Sequence, residues 1–166
     1  MKLYFLLFTA LTCLLFSCTD EENKIVSKLL NERNLQSQFF TININRDTVL
    51  QTAKGCIIQI PKGSLQSDSS HVKLEIKEAL SNTDIVLAGL NTMSGKQALS
   101  SGGMVYFNAA NGYKVEVKKQ LSILVPTEKY NRDMKVFKGD SVDGKINWTN
   151  PLPLPEDETT KKLDYG

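Results

Sequence analysis

Histidine occurs once in the 166 residues, as His71, so a metal centre built from several histidines is excluded. Cysteine is nearly as scarce, with only Cys13, Cys18 and Cys56. There is one tryptophan, and aromatic residues make up 8% of the chain. Neither sign of charge prevails: 20 basic residues face 18 acidic ones, for a formal net charge of +2. A near-neutral chain with both signs interspersed has no basic footprint for nucleic acid, and that partner class is set aside. The longest apolar run, residues 3–16, falls short of the roughly 17–25 residues needed to cross hydrocarbon, which excludes a transmembrane helix there. No sequence repeat is present. No serine–histidine or cysteine–histidine constellation stands out, so the expectation is a protein that is not an enzyme, with no cofactor, no metal and no catalytic residue.

What is present begins at the N-terminus. Lys2 precedes the apolar run, which offers only Tyr4, Thr9 and Thr12 as polar interruptions and closes on Leu15-Phe16-Ser17-Cys18. A charged start, a short apolar stretch and a small residue before cysteine read as an export signal. The segment resembles a bacterial lipoprotein signal. The resemblance implies that residues 1–17 are a leader, that Cys18 accepts lipid, and that the partner at this end is a membrane reached through acyl chains. Thr19-Asp20-Glu21-Glu22 is acidic and resembles the surface-export signal of lipoproteins in the Bacteroidota. This implies an outer-membrane protein of the cell envelope, exposed at the surface, with a periplasm-facing anchor as the alternative. With Cys13 lost and Cys18 acylated, Cys56 is left alone and no intramolecular disulfide is expected. Residues 18–38 are expected to form a spacer in which Ile25, Val26, Leu29 and Leu30 share one face of a short helix ending near Asn31.

From Phe39 the apolar period changes to two. Phe40, Ile42 and Ile44 alternate with Thr41 and Asn43; Val72, Leu74 and Ile76 alternate with His71, Lys73, Glu75 and Lys77; Tyr113, Val115 and Val117 alternate with Lys114, Glu116 and Lys118. Leu121, Ile123 and Val125 close on Pro126. These patterns predict half-buried strands. Further strands are expected at residues 49–53, 57–60, 85–90, 104–109, 134–137 and 146–149. Asn111-Gly112 and Asp143-Gly144 predict tight hairpin turns. About ten short strands with regular punctuation predict an all-β fold, an antiparallel β-sandwich over residues 39–150. Pro151, Pro153 and Pro155 cannot donate to a sheet and are expected to end the domain. Residues 151–166 then read as a proline-rich linker and disordered tail.

Gly55-Cys56-Ile57-Ile58-Gln59-Ile60-Pro61-Lys62-Gly63-Ser64-Leu65 resembles the opening of the ZU-five domain, a β-sandwich module of ankyrins, netrin receptors and zonula occludens proteins. Ser64 stands where that family usually has alanine. The longer pattern is similar to a Bacteroidota lipoprotein group: the strand from Val72, then Asp84 onward, Leu99-Ser100-Ser101-Gly102-Gly103-Met104-Val105-Tyr106, Leu124-Val125-Pro126-Thr127, Met134-Lys135-Val136-Phe137 and Trp148. The resemblance implies a sandwich used for docking or scaffolding with a protein partner. Some animal relatives cleave themselves at His-Phe-Ser, but His71 here is followed by Val72 and Lys73, so self-cleavage is not expected.

The remaining chemistry reads as structural. Cys56 shares a face with Ile58 and Ile60 and is expected to behave as a small buried hydrophobe. His71 falls on the solvent side of its strand. Glu75 and Glu78 point to opposite faces and cannot cooperate, and Glu75 between Lys73 and Lys77 reads as a charge ladder. Ser100-Ser101-Gly102-Gly103 reads as a turn or bulge, and Asp68, Asp84, Asp140 and Asp143 as turn residues without calcium-loop spacing. Asp47-Thr48-Val49 and Asp140-Ser141-Val142 resemble an O-glycosylation tripeptide of Bacteroidota. The alternative to docking is capture of a glycan or small nutrient on a platform of Tyr106, Phe137 and Trp148.

Overall fold

The computed structural model describes residues 29–154 apart from 111, 128–129 and 143–144. Cys18, the expected lipid acceptor, most of the expected short helix and the tail beyond Leu154 lie outside the described residues.

The fold is all-β. Twelve strands follow in order: β1 (Gln38–Asn43), β2 (Thr48–Gln51), β3 (Ile57–Ile60), β4 (Leu65–Gln66), β5 (His71–Ala79), β6 (Met93–Ser94), β7 (Gln97–Ala98), β8 (Met104–Ala109), β9 (Glu116–Val117), β10 (Ser122–Leu124), β11 (Lys135–Val142) and β12 (Lys145–Pro153). A one-turn 3-10 helix at Glu32–Asn34 precedes them, and a short α-helix, α1 (Asn82–Leu87), follows β5.

Two three-stranded antiparallel sheets, ordered β1-β5-β8 and β10-β3-β2, supply the core. The sequence alternation decides which side chains face inward. Ile42 of β1 and Val72, Leu74 and Ile76 of β5 meet Leu50 of β2 and Ile58 and Ile60 of β3, with Phe40, Val105 and Phe107 packed against them. Val72, Leu74, Ile76 and Ile58 are fully buried, and each contributes about 1.5–3 kcal/mol relative to an exposed side chain. This is the sandwich that the period-two pattern predicts.

Four local expectations are corrected. Residues 85–90, expected as a strand, instead form the last part of α1 and the turn that closes it, because local capping outweighs the apolar pattern. Ser81 accepts the Asp84 N–H and the Asp84 carboxylate accepts the Ser81 N–H, a capping box. At the other end Leu90 N–H reaches the Ile85 carbonyl and Gly89 N–H the Val86 carbonyl, each at 3.0 Å. Gly89 holds φ +64°, the left-handed closure that favours glycine. Second, Gly112 stands in a turn closed by Tyr113 N–H to the Ala110 carbonyl at 3.1 Å, but the turn makes no hairpin: β8 pairs with β5 and β9 with β4. Third, of residues 113–117 only Glu116 and Val117 form strand. Fourth, strand continues through the first two of the prolines. β12 runs through Pro151 to Pro153, with Val136 opposite Leu152 and Lys135 opposite Pro153, and the register shifts between Val136 and Lys138. β11 and β12 form a two-stranded sheet, so each has an edge where a missing N–H is tolerated. β11 and β12 pair with Val142 opposite Lys145, while Asp143 and Gly144, where a tight turn is expected, lie outside the described residues.

Candidate functional site

The inward register of β5 does not stop at Ile76. Two residues on stands Glu78, buried to 3% exposure, a carboxylate in an apolar row. Its partners come from two segments, the start of β1 and the loop after β2: the Thr52 hydroxyl donates to Oε1, Gln38 Nε2 donates to Oε2 at 2.8 Å, and the Lys54 N–H donates to Oε2 at 3.1 Å. Burial pushes this carboxyl up. The hydrogen bonds from Thr52, Cys56, Gln38 and Lys54 outweigh it and hold the group below the usual carboxylate range, so Glu78 is ionised. Cys56 lies beside it, fully buried. Burial first, then the hydrogen bond and charge of Glu78, push the thiol up to about 12, with the Thr52 hydroxyl pulling weakly the other way. A thiol so placed stays protonated and is not a nucleophile at neutral pH.

The same corner extends to Asp84. Lys54 Nζ meets Asp84 Oδ1 at 2.6 Å, and Oδ2 accepts the N–H groups of Leu80 and Ser81 at 3.1 and 2.9 Å. Chiefly through the hydrogen bond from Lys54, helped by Ser81 and opposed by burial, the carboxyl is held at about 2. Glu78 and Asp84 thus clamp the loop after β2, the start of β1 and the entry to α1 together. The arrangement is a fastening, since every carboxylate oxygen is taken by a donor. Sequence reasoning placed Glu78 on the face opposite Glu75 and missed the consequence: in-register with Val72, Leu74 and Ile76, it had to be buried and bonded.

The other candidates are dispersed. His71 is exposed, its Nδ1 3.2 Å from Ser70 Oγ. Asp140 is paired with Lys138 at 2.8 Å and accepts from Thr149 at 2.6 Å, and Asp68 borders a shallow surface depression with Tyr113 and Lys114. Asp143 lies outside the described residues. Gly103, at φ +129°, forms the turn into β8, its N–H held by Ser101 Oγ at 3.2 Å. Thr48 opens β2 and Ser141 sits in β11 opposite Ile146. Among the described residues no three His, Cys, Asp or Glu side chains are grouped as a metal site would need, and no helix is long and apolar enough to cross a membrane.

The expected aromatic platform does not assemble as one surface. Trp148 and Phe137 are half-buried, and the Trp148 indole N–H is committed to the Asn91 carbonyl at 2.7 Å. Asn91 in turn donates to the Ile146 carbonyl at 2.8 Å. Tryptophan therefore fastens the β11–β12 ribbon to the segment before β6. Tyr106 alone of the three is exposed. It lies on the outer face of the β1-β5-β8 sheet, where Lys77 is opposite it in register and places Nζ 5.5 Å from the ring centre. Asn108 Nδ2 donates to the Tyr106 hydroxyl at 3.1 Å. Across the sheet, Phe39 is 52% exposed, with Lys73 Nζ 4.6 Å from its ring. Between them Glu75 accepts from Ser37 Oγ at 2.6 Å and lies 3.6 Å from Lys77 Nζ. This mixed face joins rings, amines and an amide on one side of the sheet.

The fold and this surface define an all-β sandwich protein with an open, aromatic and weakly basic sheet face. No protein-family model, no curated protein and no solved structure matches the chain.

Proposed function

We propose that the chain is a lipid-anchored protein of the cell envelope, attached through Cys18, whose sandwich serves as a non-catalytic docking module for a protein partner. The observation that carries the docking half is the outer face of β1-β5-β8, on which Phe39 and Tyr106 stand exposed beside Lys73 and Lys77. Exposed aromatic rings are enriched in protein interfaces, where they act as anchors. The ammonium groups over both rings favour a protein partner over the glycan alternative, because stacking a sugar would first displace them.

The anchoring half rests on the leader and on the position of Cys18 after residues 3–16. A multiply acylated cysteine supplies the two lipid signals that stable anchoring takes, each buried methylene adding about 0.8 kcal/mol. Replacing Cys18 with alanine is expected to move the protein from the membrane to the soluble fraction and to abolish incorporation of labelled palmitate. Unchanged fractionation would overturn the anchor. Docking is tested separately, by photo-crosslinking from Phe39 and from Tyr106 in intact cells, and a glycan array positive for the purified chain but negative after Tyr106→Ala would move the reading to sugar capture.

A further inference from the structure

The edges of the sheets differ in how they are closed, and β8 is the open one. Ala110 N–H donates to the Lys73 carbonyl at 2.8 Å and continues the β5–β8 register, in which Leu74 faces Ala109. In an antiparallel ladder bonded and non-bonded residues alternate. Tyr106 and Asn108 therefore turn their backbone groups toward β5, and Gly103, Val105, Phe107 and Ala109 turn theirs to the outside. At the two ends the outward N–H groups are already held by side chains of the chain itself: Ser101 Oγ takes that of Gly103 at 3.2 Å, and Asn108 Oδ1 takes that of Ala109 at 2.8 Å. The N–H and C=O groups of Val105 and Phe107 remain, and no other described residue bonds them. They are disposed symmetrically about Tyr106.

The remaining edges carry protection that β8 lacks. β1 and β2 contact one another, and Gln38 Oε1 accepts the Ala53 N–H at 2.7 Å. β11 carries Lys135, Lys138 and Asp140, and β12 contains Pro151 and Pro153; charge and proline are the usual guards of an edge. β10 has three residues. β8 has six, Met-Val-Tyr-Phe-Asn-Ala, none charged and none proline.

We propose that β8 is a self-recognition edge, at which a second copy of this chain pairs antiparallel across a two-fold axis through Tyr106. In that register Val105 faces Phe107 of the other copy and Phe107 faces its Val105, so that the open N–H and C=O groups of Val105 and Phe107 in both copies are bonded. Tyr106 meets its own counterpart at a non-hydrogen-bonded position on the outer face, an aromatic pair. No like charges come into opposition, because β8 has none. The two sheets become one continuous sheet, and the outer faces carrying Phe39 and Lys73 become a single doubled surface. This pairing does not require the anchor; it assigns Tyr106 to self-contact and leaves Phe39 and Lys73 as the part of the face open to docking.

The non-hydrogen-bonded position makes the test direct, because the two Cα atoms there approach to about 4.5 Å, within disulfide reach. The full chain with Cys13 and Cys18 replaced by alanine is given Tyr106→Cys and treated with diamide. Two S–H bonds are lost, one S–S bond forms, and the diamide takes up the two electrons and two protons. Cys56 is fully buried and does not compete. The expected result is rapid conversion to a disulfide-linked dimer, while Phe39→Cys, an equally exposed position on the same sheet, stays monomeric. Sedimentation gives the second measurement: the chain with its native Tyr106 is expected to associate, and Tyr106→Lys, which sets two ammonium groups face to face, to run as a monomer. Equal cross-linking from positions 39 and 106 would overturn the proposal, as would a native chain that remains monomeric at all concentrations. So would cross-linking of Tyr106→Cys in cells only to a different protein.

Discussion

At the scale of single residues, the buried polar groups divide into those that are satisfied and one that is not. Thr52 and Glu78 lie in one bonded corner, and each donor or acceptor there has a partner. Ser64 is different: it is fully buried, and its Oγ is the only buried side-chain polar atom without a hydrogen-bond partner among the described residues. Its backbone is well held, N–H to the Pro61 carbonyl at 3.0 Å and the carbonyl accepting Lys118 N–H at 2.8 Å, so the hydroxyl alone carries the cost. A buried hydroxyl with no partner costs about 1–3 kcal/mol. Ser64→Ala removes it without opening a cavity and is expected to stabilise the fold by about 1 kcal/mol, read as a higher urea midpoint with an unchanged slope. A lower midpoint would mean that the hydroxyl is bonded.

At the scale of elements, local chemistry and tertiary contacts compete, and α1 is where local chemistry prevails. Ile85, Val86, Leu87 and Leu90 look like a strand by composition. Ser81 and Asp84 at one end and Gly89 at the other supply partners for the terminal N–H and C=O groups, and a six-residue helix survives on its caps. Only Ile85 is buried within it. With so little packing, the cap is a large share of the helix's stability. Ser81→Ala is expected to cost about 0.5–2 kcal/mol, visible as a lowered unfolding midpoint and as faster amide exchange at Ala88 and Gly89. The capping residues were present in the sequence as serine, three residues before aspartate, and the signal was masked by the apolar run that follows. The Asn111-Gly112 turn shows the opposite competition. Its composition is that of a hairpin, yet after it the chain crosses to pair β9 with β4, because Val115 packs against the shared core and that burial outweighs a local pairing.

At the scale of the whole molecule, the Glu78 and Asp84 clamps tie stability to pH. Both carboxyls are held below their ordinary values, Asp84 at about 2. The folded state therefore binds fewer protons than the unfolded chain over this range. Their contribution is fully present above the unfolded value of about 4 and is lost as pH falls toward 2. The urea midpoint is expected to be flat from neutral pH to about pH 5 and to fall steeply below pH 4. In Glu78→Gln the midpoint should start lower and fall less steeply. A wild-type midpoint independent of pH down to 3 would show that these carboxylates are not held as described.

Most of the sandwich was legible because a strand with one wet face must alternate, and the alternation of Val72, Leu74 and Ile76 or of Ile58 and Ile60 has no other cheap explanation. The site was less so. The inward parity of Glu78 was readable, but its donors come from Gln38, Thr52 and Lys54, residues distant in sequence that meet only when two sheets close. Composition offers Trp148 as a ring for a platform, but its indole N–H is committed to the Asn91 carbonyl. By itself, then, the chain's order of residues determined its all-β class, the positions of the central strands and the inward rows, since these follow from local geometry and the cost of wetting apolar surface. Only the tertiary structure decided which strands became edges, which polar groups found partners and which backbone groups of β8 were left open, because those depend on long-range closure that no local period encodes.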